Sequence, residues 1–270
     1  MSNPVLYLIT FLSYGILAAL FWRAQLSGQA ETANRNLCGH AIAIPLALHG
    51  WLLYQNLFIF DSLNIGLVYS VSLILWLTVF IYWLARLFYP LASLQTLFLP
   101  IAAIAAVLPI FFPEIHRLAQ STVWAFNAHV LAAMLAYSLF TIAAFHAALM
   151  SLVEKRLHHA MIPTVLKNLP PLMTMEKILF RIITVGWTLL TATLLSGFIF
   201  SEEIFGRAWQ LNHKNLFGLI SWVIYSTLLL GHIIKGWRGK IAVRWTMGGF
   251  LFLILAYLGT EFVLEVILHR

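Results

Sequence analysis

The chain has 270 residues, of which 62% are hydrophobic and only 9% charged, and its mean hydropathy is +0.91. Soluble domains carry roughly 25% charged residues, so the composition excludes an ordinary soluble domain and reads as an all-α, polytopic membrane helix bundle. The formal charge of +7 does not imply nucleic acid, because the basic residues are confined to short loops and never form a long run. One cysteine, Cys38, excludes an internal disulfide or a cysteine-based metal cluster.

Taken in chain order, apolar runs of about 20 residues mark membrane spans. They fall at 5–22, 38–58, 66–86, 91–112, 124–151, 178–200, 213–234 and 243–268, about eight in all. No basic residue precedes the first run, so it reads as a permanent span rather than a cleaved signal. Residues 152–177 form the one long connection. Glu154-Lys155-Arg156 and His158-His159 make it polar, and Pro163, Pro170 and Pro171 break it. Residues 1–270 are read as a single integral-membrane domain with this stretch as its long cytoplasmic loop. The ten Trp and nine Tyr suit interfacial aromatic belts.

Lys and Arg set the orientation. The loops after spans 1, 3, 5 and 7 hold twelve of them, against four (Arg117, Arg207, Lys214 and Arg270) on the other side. The first set of loops is therefore expected to be cytoplasmic and both termini outside, in the inner membrane if the source is bacterial.

This topology gives each histidine a depth. His129 and His269 fall at the outer ends of different spans, with His116 and His213 at the outer boundary. His49 lies mid-way through span 2, and His40, His146 and His232 lie toward the cytoplasmic side. His158 and His159 sit in the long loop. Haem iron takes one or two axial imidazoles, usually from different helices, and His129 and His269 have the placement such a site needs. His40 and His49 cannot share a face, because nine residues at about 100° each put them on opposite sides of a helix. Read singly, each of these histidines is also compatible with an interhelical or interfacial hydrogen bond. Lys214, beside His213 at an outer helix start, either binds an anionic group such as a propionate or anchors in the headgroup layer. No nucleophile elbow, phosphate-cradling loop, zinc-protease motif or pair of buried carboxylates is present, which speaks against an enzyme.

Several segments in order resemble the cytochrome c assembly protein family, the CcsA/HemX-like integral membrane proteins, and within it the YpjD-like branch. They are His49-Gly50-Trp51-Leu52-Leu53-Tyr54 with Trp76; His129-Val130 with Ala136-Tyr137-Ser138; Pro170-Pro171-Leu172-Met173-Thr174-Met175-Glu176 with Leu195-Ser196-Gly197; and His213-Lys214 with Gly236-Trp237-Arg238-Gly239-Lys240, Tyr257-Leu258-Gly259 and Leu268-His269. The resemblance implies haem handling. Its outer pair of histidines, the axial ligands of the haem iron, matches His129 and His269. Its inner, membrane pair matches His49 and, as the best candidate, His232. The family's tryptophan-rich outer run is mostly missing: Arg207-Ala208-Trp209-Gln210-Leu211-Asn212-His213-Lys214 stands in its place, and only one tryptophan and the lysine remain.

The expected function is therefore haem binding in cytochrome c biogenesis, as an assembly-assisting or regulatory relative rather than a complete synthetase. The expected partners are membrane lipid, haem and other membrane proteins of cytochrome maturation. The alternative is a structural or regulatory partner protein without haem, docking through the basic loop 152–177; a small-molecule transporter is a third reading, weakened by the lack of an inverted repeat with broken helices.

Overall fold

Prolines, glycines and one asparagine punctuate the apolar runs, and the helices follow them. The computed structural model describes residues 4–27, 29, 40–59, 62–64, 66–88, 94–112, 117–118, 124–158, 170–201 and 212–260. Eight helices account for most of the described residues: α1 Pro4–Leu26, α2 Ala43–Leu57, α3 Leu67–Ala85, α4 Gln95–Phe111, α5 Trp124–His158, α6 Leu172–Ile199, α7 His213–Lys235 and α8 Gly239–Ile254. Helix α8 continues as a π-helical turn, Leu255–Gly259. Short strands occur only at Phe58–Ile59, Ser62–Asn64 and Arg117–Leu118 among the described residues. Six of the helices (α1, α3, α5, α6, α7 and α8 with its π turn) are long and apolar enough to cross a membrane. The chain is a polytopic membrane helical bundle, as its composition requires.

The two largest differences in boundary from the sequence expectation lie at α5 and α6. Helix α6 begins at Leu172, directly after Pro170-Pro171, rather than at 178, and α5 runs on to His158. A proline just before a helix loses no hydrogen bond, because the first-turn N–H groups have no intrahelical partner. The charged residues Glu176, Lys177 and Arg181 are accommodated in the first turns of α6 instead of in a loop.

The chain forms two compact units. The first comprises Met1–Phe60, Asn64–His116 and Val153–Pro171; the second comprises Asp61–Leu63, Arg117–Leu152 and Leu172–Arg270. In the first unit α1 packs on α2 and α4, and α3 packs on α2 and α4. Ala102, Ala103, Ala105 and Ala106 of α4 are all buried, and side chains this small let the helix axes approach closely. Pro100 and Pro109 lie inside α4 without ending it, which neighbouring helices in a membrane allow. Hydroxyls in the apolar interior are satisfied locally: Thr10 Oγ1 donates to the Leu6 carbonyl and Thr78 Oγ1 to that of Ile74, each at 2.8 Å.

In the second unit α7 packs on α6 and α8. Two indole N–H groups bind α6 to α7, Trp187 to Ser226 Oγ and Trp222 to Thr191 Oγ1, both at 2.8 Å. Asn212 caps α7 by accepting the Asn215 N–H at 2.9 Å. Gly236 ends it in the left-handed region at φ 64°, with the N–H groups of Gly236 and Trp237 returning to the His232 and Gly231 carbonyls. Elsewhere the spans present apolar surface outward, for example Leu8, Ile16, Ile104 and Leu251, each more than half exposed. Such faces are matched to hydrocarbon rather than water.

Candidate functional site

One end of the second unit gathers side chains from four helices. Helices α5 and α6 are antiparallel neighbours along their length: Phe140 lies on Gly186, where a Cβ would sit 3.2 Å from the ring, and His146 Nε2 donates to the Met175 carbonyl at 2.8 Å. At the other end of this seam His129 meets Ser196, Nδ1 to Oγ at 2.8 Å. The absence of a side chain at Gly197 brings α6 against the ring, since a Cβ there would lie 3.3 Å from His129 Cε1.

The tautomer of His129 follows from this chain of bonds. Ser196 Oγ gives its one hydrogen to the Thr193 carbonyl at 3.0 Å. It can only accept from the histidine, so Nδ1 carries the proton and the lone pair resides on Nε2. A donor–acceptor chain of this kind fixes ring orientation and tautomer at metal-ligating histidines.

Lys214, at the start of α7, places its ammonium 4.4 Å from the Tyr257 ring centroid, and it is within electrostatic reach of His129. Tyr257 sits in the π-helical turn and packs on Tyr137 of α5, two turns along from His129, with ring centroids 6.0 Å apart. Single π turns are enriched at functional sites, because the inserted residue re-aims a side chain. His269, proposed as the partner of His129, lies outside the described residues, as do Glu261, Glu265, Arg207 and Trp209.

The two inner candidates have different surroundings. His232, in the second unit, donates from Nδ1 to the Trp237 carbonyl at 2.9 Å and stacks on Phe180 at 3.6 Å between centroids. Its lone pair is therefore also on Nε2. His49, in the first unit, is 1% exposed and has both ring nitrogens engaged, Nδ1 with the Tyr14 hydroxyl at 3.4 Å and Nε2 with Ser72 Oγ at 2.9 Å. It joins α1, α2 and α3. His49→Ala is expected to strand two buried hydroxyls and lower stability by about 2–3 kcal/mol; thermal unfolding in detergent would measure the loss, and an unchanged midpoint would rule out this role.

Sequence reasoning singled out His129 without finding Ser196 as its neighbour, and it missed Tyr14 and Ser72 altogether. No local pattern marks them, because each lies on a different helix from the histidine it serves. Among the described residues no group of three or more His, Cys, Asp or Glu gathers to hold a metal ion. The iron of a haem needs no such group, since the porphyrin supplies its equatorial nitrogens and the protein one or two imidazoles. A half-buried histidine with a pinned Nε2 lone pair and a lysine nearby fits that requirement.

The family model described as Cytochrome C assembly protein matches residues 37–268. Among curated proteins, the chain is similar to Inner membrane protein YpjD of Escherichia coli (strain K12), 30% identical over 139 residues, 52% of each chain. It is also similar to Cytochrome c biogenesis protein CcsA of Prochlorococcus marinus (strain NATL2A), 35% identical over 95 residues, 35% of this chain and 30% of that one. To the CcsA of Cyanophora paradoxa it is 34% identical over 87 residues, 32% and 27% of the respective chains. The chain thus matches about half the length of the first relative and less than a third of the other two. No solved structure matches it.

Proposed function

The chain belongs to the cytochrome c assembly protein family, and from that premise we propose that it binds and handles haem in cytochrome c biogenesis as a multi-pass protein of the bacterial inner membrane. The observation that carries this reading is the Ser196-pinned tautomer of His129. His129 and His269 are the proposed outer axial ligands, and Lys214 the cation for an anionic substituent at the edge of the ring. His232 is the proposed inner ligand; for His49 to share that role it must release Tyr14 or Ser72. The bound haem would be the cargo and would bring its own iron. The side chains hold it, orient it and keep it from solvent.

We place this protein among the assembly-assisting relatives rather than the complete synthetases. What supports this is the sequence before α7, where one tryptophan stands instead of a tryptophan-rich run, so much of the surface for a flat porphyrin is missing. The names of the relatives, an inner membrane protein and cytochrome c biogenesis proteins, support the location and the process. The twelve-to-four distribution of Lys and Arg supports an orientation with both termini outside and the 152–177 connection in the cytoplasm.

Haemin added to the detergent-purified protein is expected to give the absorption spectrum of low-spin, bis-imidazole iron. The spectrum should be lost in His129→Ala and in His269→Ala. A protein that leaves the spectrum of free haemin unchanged would overturn the proposal and favour a partner protein that works without haem.

A further inference from the structure

The opposite end of the second unit carries a different feature. Three helix ends converge there: the start of α6, the end of α7 and the start of α8. Glu176 of α6 joins them. Its Oε2 accepts the Gly239 N–H at the start of α8, 3.3 Å away, and its Oε1 is paired with Arg238 Nε at 3.6 Å. The α7–α8 turn is compact because Gly236 and Gly239 both adopt positive φ, 64° and 52°. Consequently Lys177, Arg181, Lys235, Arg238, Lys240 and Arg244 are all brought to this end, and all six are exposed. Glu176 occupies one edge of Arg238, whose side chain is still 62% exposed. The other five have no ion-pair partner among the described residues.

Apolar and aromatic surface adjoins these cations. Trp237 lies flat on α7, its ring filling the space where a Cβ on Gly231 would stand, and it packs on Trp245 at 5.3 Å between centroids. Tryptophans of this kind sit at the headgroup level. Beside Lys235 on α7, Ile233 and Ile234 are 77% and 74% exposed. Cations, indoles and exposed aliphatic side chains thus adjoin one another at this end of the unit. A phospholipid brings matching parts together: a phosphate, a glycerol backbone and acyl chains.

We infer that this end of the second unit is a binding site for anionic phospholipid, with the phosphate among Lys235, Lys240, Arg244 and the α6 cations, and the acyl chains along Ile233 and Ile234. An acidic protein would satisfy the charges but offers no alkyl chain to the exposed isoleucines beside them, so the two surfaces together fit a lipid. The inference does not depend on the haem reading. It goes beyond the general excess of Lys and Arg on one side of membrane proteins, because it assigns the preference to one cluster.

Native mass spectrometry of the detergent-purified protein tests it, with phosphatidylglycerol and phosphatidylcholine supplied in equal amounts. The protein should retain phosphatidylglycerol in preference, and high salt should release it. A cation near a membrane surface contributes about fivefold in affinity, so K240Q/R244Q should weaken retention roughly thirtyfold. Both residues are exposed and outside the Glu176 bridge, so the fold should survive. R23Q/K155Q, which removes two exposed cations of the first unit, should change nothing. Equal retention of the two lipids, or equal losses in the two double variants, would overturn the site. So would recovery of an acidic protein in place of lipid that K240Q/R244Q abolishes.

Discussion

His129→Ala is expected to remove the low-spin haem spectrum, and free imidazole added to the variant should restore it. The second half of that expectation separates loss of a ligand from loss of the fold. An alanine at 129 leaves a space in the α5–α6 seam that an imidazole fits. Ser196→Ala is the sharper variant. It keeps His129 but removes the acceptor for Nδ1–H, so the tautomer and ring orientation are no longer held. Outer partners of metal-bound histidines typically contribute 10–100-fold in affinity, and haemin binding should weaken by about that factor with its low-spin character retained. A His129→Ala protein that binds haemin with the wild-type spectrum and affinity would remove this residue from the site. A Ser196→Ala protein indistinguishable from wild type would leave His129 as ligand but refute the relay.

What could be read from the sequence divides along a physical line. Span positions were legible because hydrocarbon demands about 20 apolar residues and tolerates little else. The α7–α8 hairpin was legible because Gly236 and Gly239 mark its turn. The start of α6 was misjudged by six residues, since Glu176, Lys177 and Arg181 have a loop-like composition. In the structure they lie at a helix end, where long cations reach outward and Glu176 has a partner in Arg238. The place of His129 near the start of α5 followed from the apolar run alone. Its bond to Ser196 did not, because that depends on the register between two antiparallel helices, and a shift of one residue in either would lose it. His49 shows the same limit: a mid-span histidine was visible, but its engagement by Tyr14 and Ser72 from two other helices was not. The π turn at Leu255–Gly259 left no trace either, since the apolar run continues through it unchanged.

Gly249→Leu should be the most destabilising single substitution in the α7–α8 hairpin. A Cβ at 249 would lie 2.8 Å from two atoms of the Tyr225 ring and 3.2 Å from Ile224 Cγ2. The ring has no room to retreat. Tyr225 is fully buried, stacks on Phe140 at 4.0 Å, and its hydroxyl donates to the Thr246 carbonyl at 3.2 Å. Ser221 Oγ also donates to the Gly249 carbonyl at 2.9 Å, which ties the backbone of α8 to α7 at the same level. In a membrane, helices associate through van der Waals packing rather than by escaping water, so separating these two removes their main attraction. Overpacking a tight contact costs about 1–3 kcal/mol, and leucine should reach the upper part of that range or exceed it. Gly249→Ala should cost less, because alanine regains up to about 1 kcal/mol of helix propensity. Gly248 supplies the control: a Cβ there meets nothing within 4 Å, so Gly248→Ala should be neutral or stabilising. Gly231→Ala should fall between the two, since the Trp237 ring it would touch is only half-buried and can swing away. Thermal unfolding in detergent should rank the midpoints as Gly248→Ala, wild type, Gly231→Ala, Gly249→Ala and Gly249→Leu, in falling order. Because Tyr257 lies two turns beyond Gly249 on the same helix, a displaced α8 should also weaken haemin binding, an effect that Gly248→Ala should not produce. If Gly249→Leu unfolds with the wild type, the close contact between α7 and α8 is wrong, and with it the position of Tyr257 beneath Lys214.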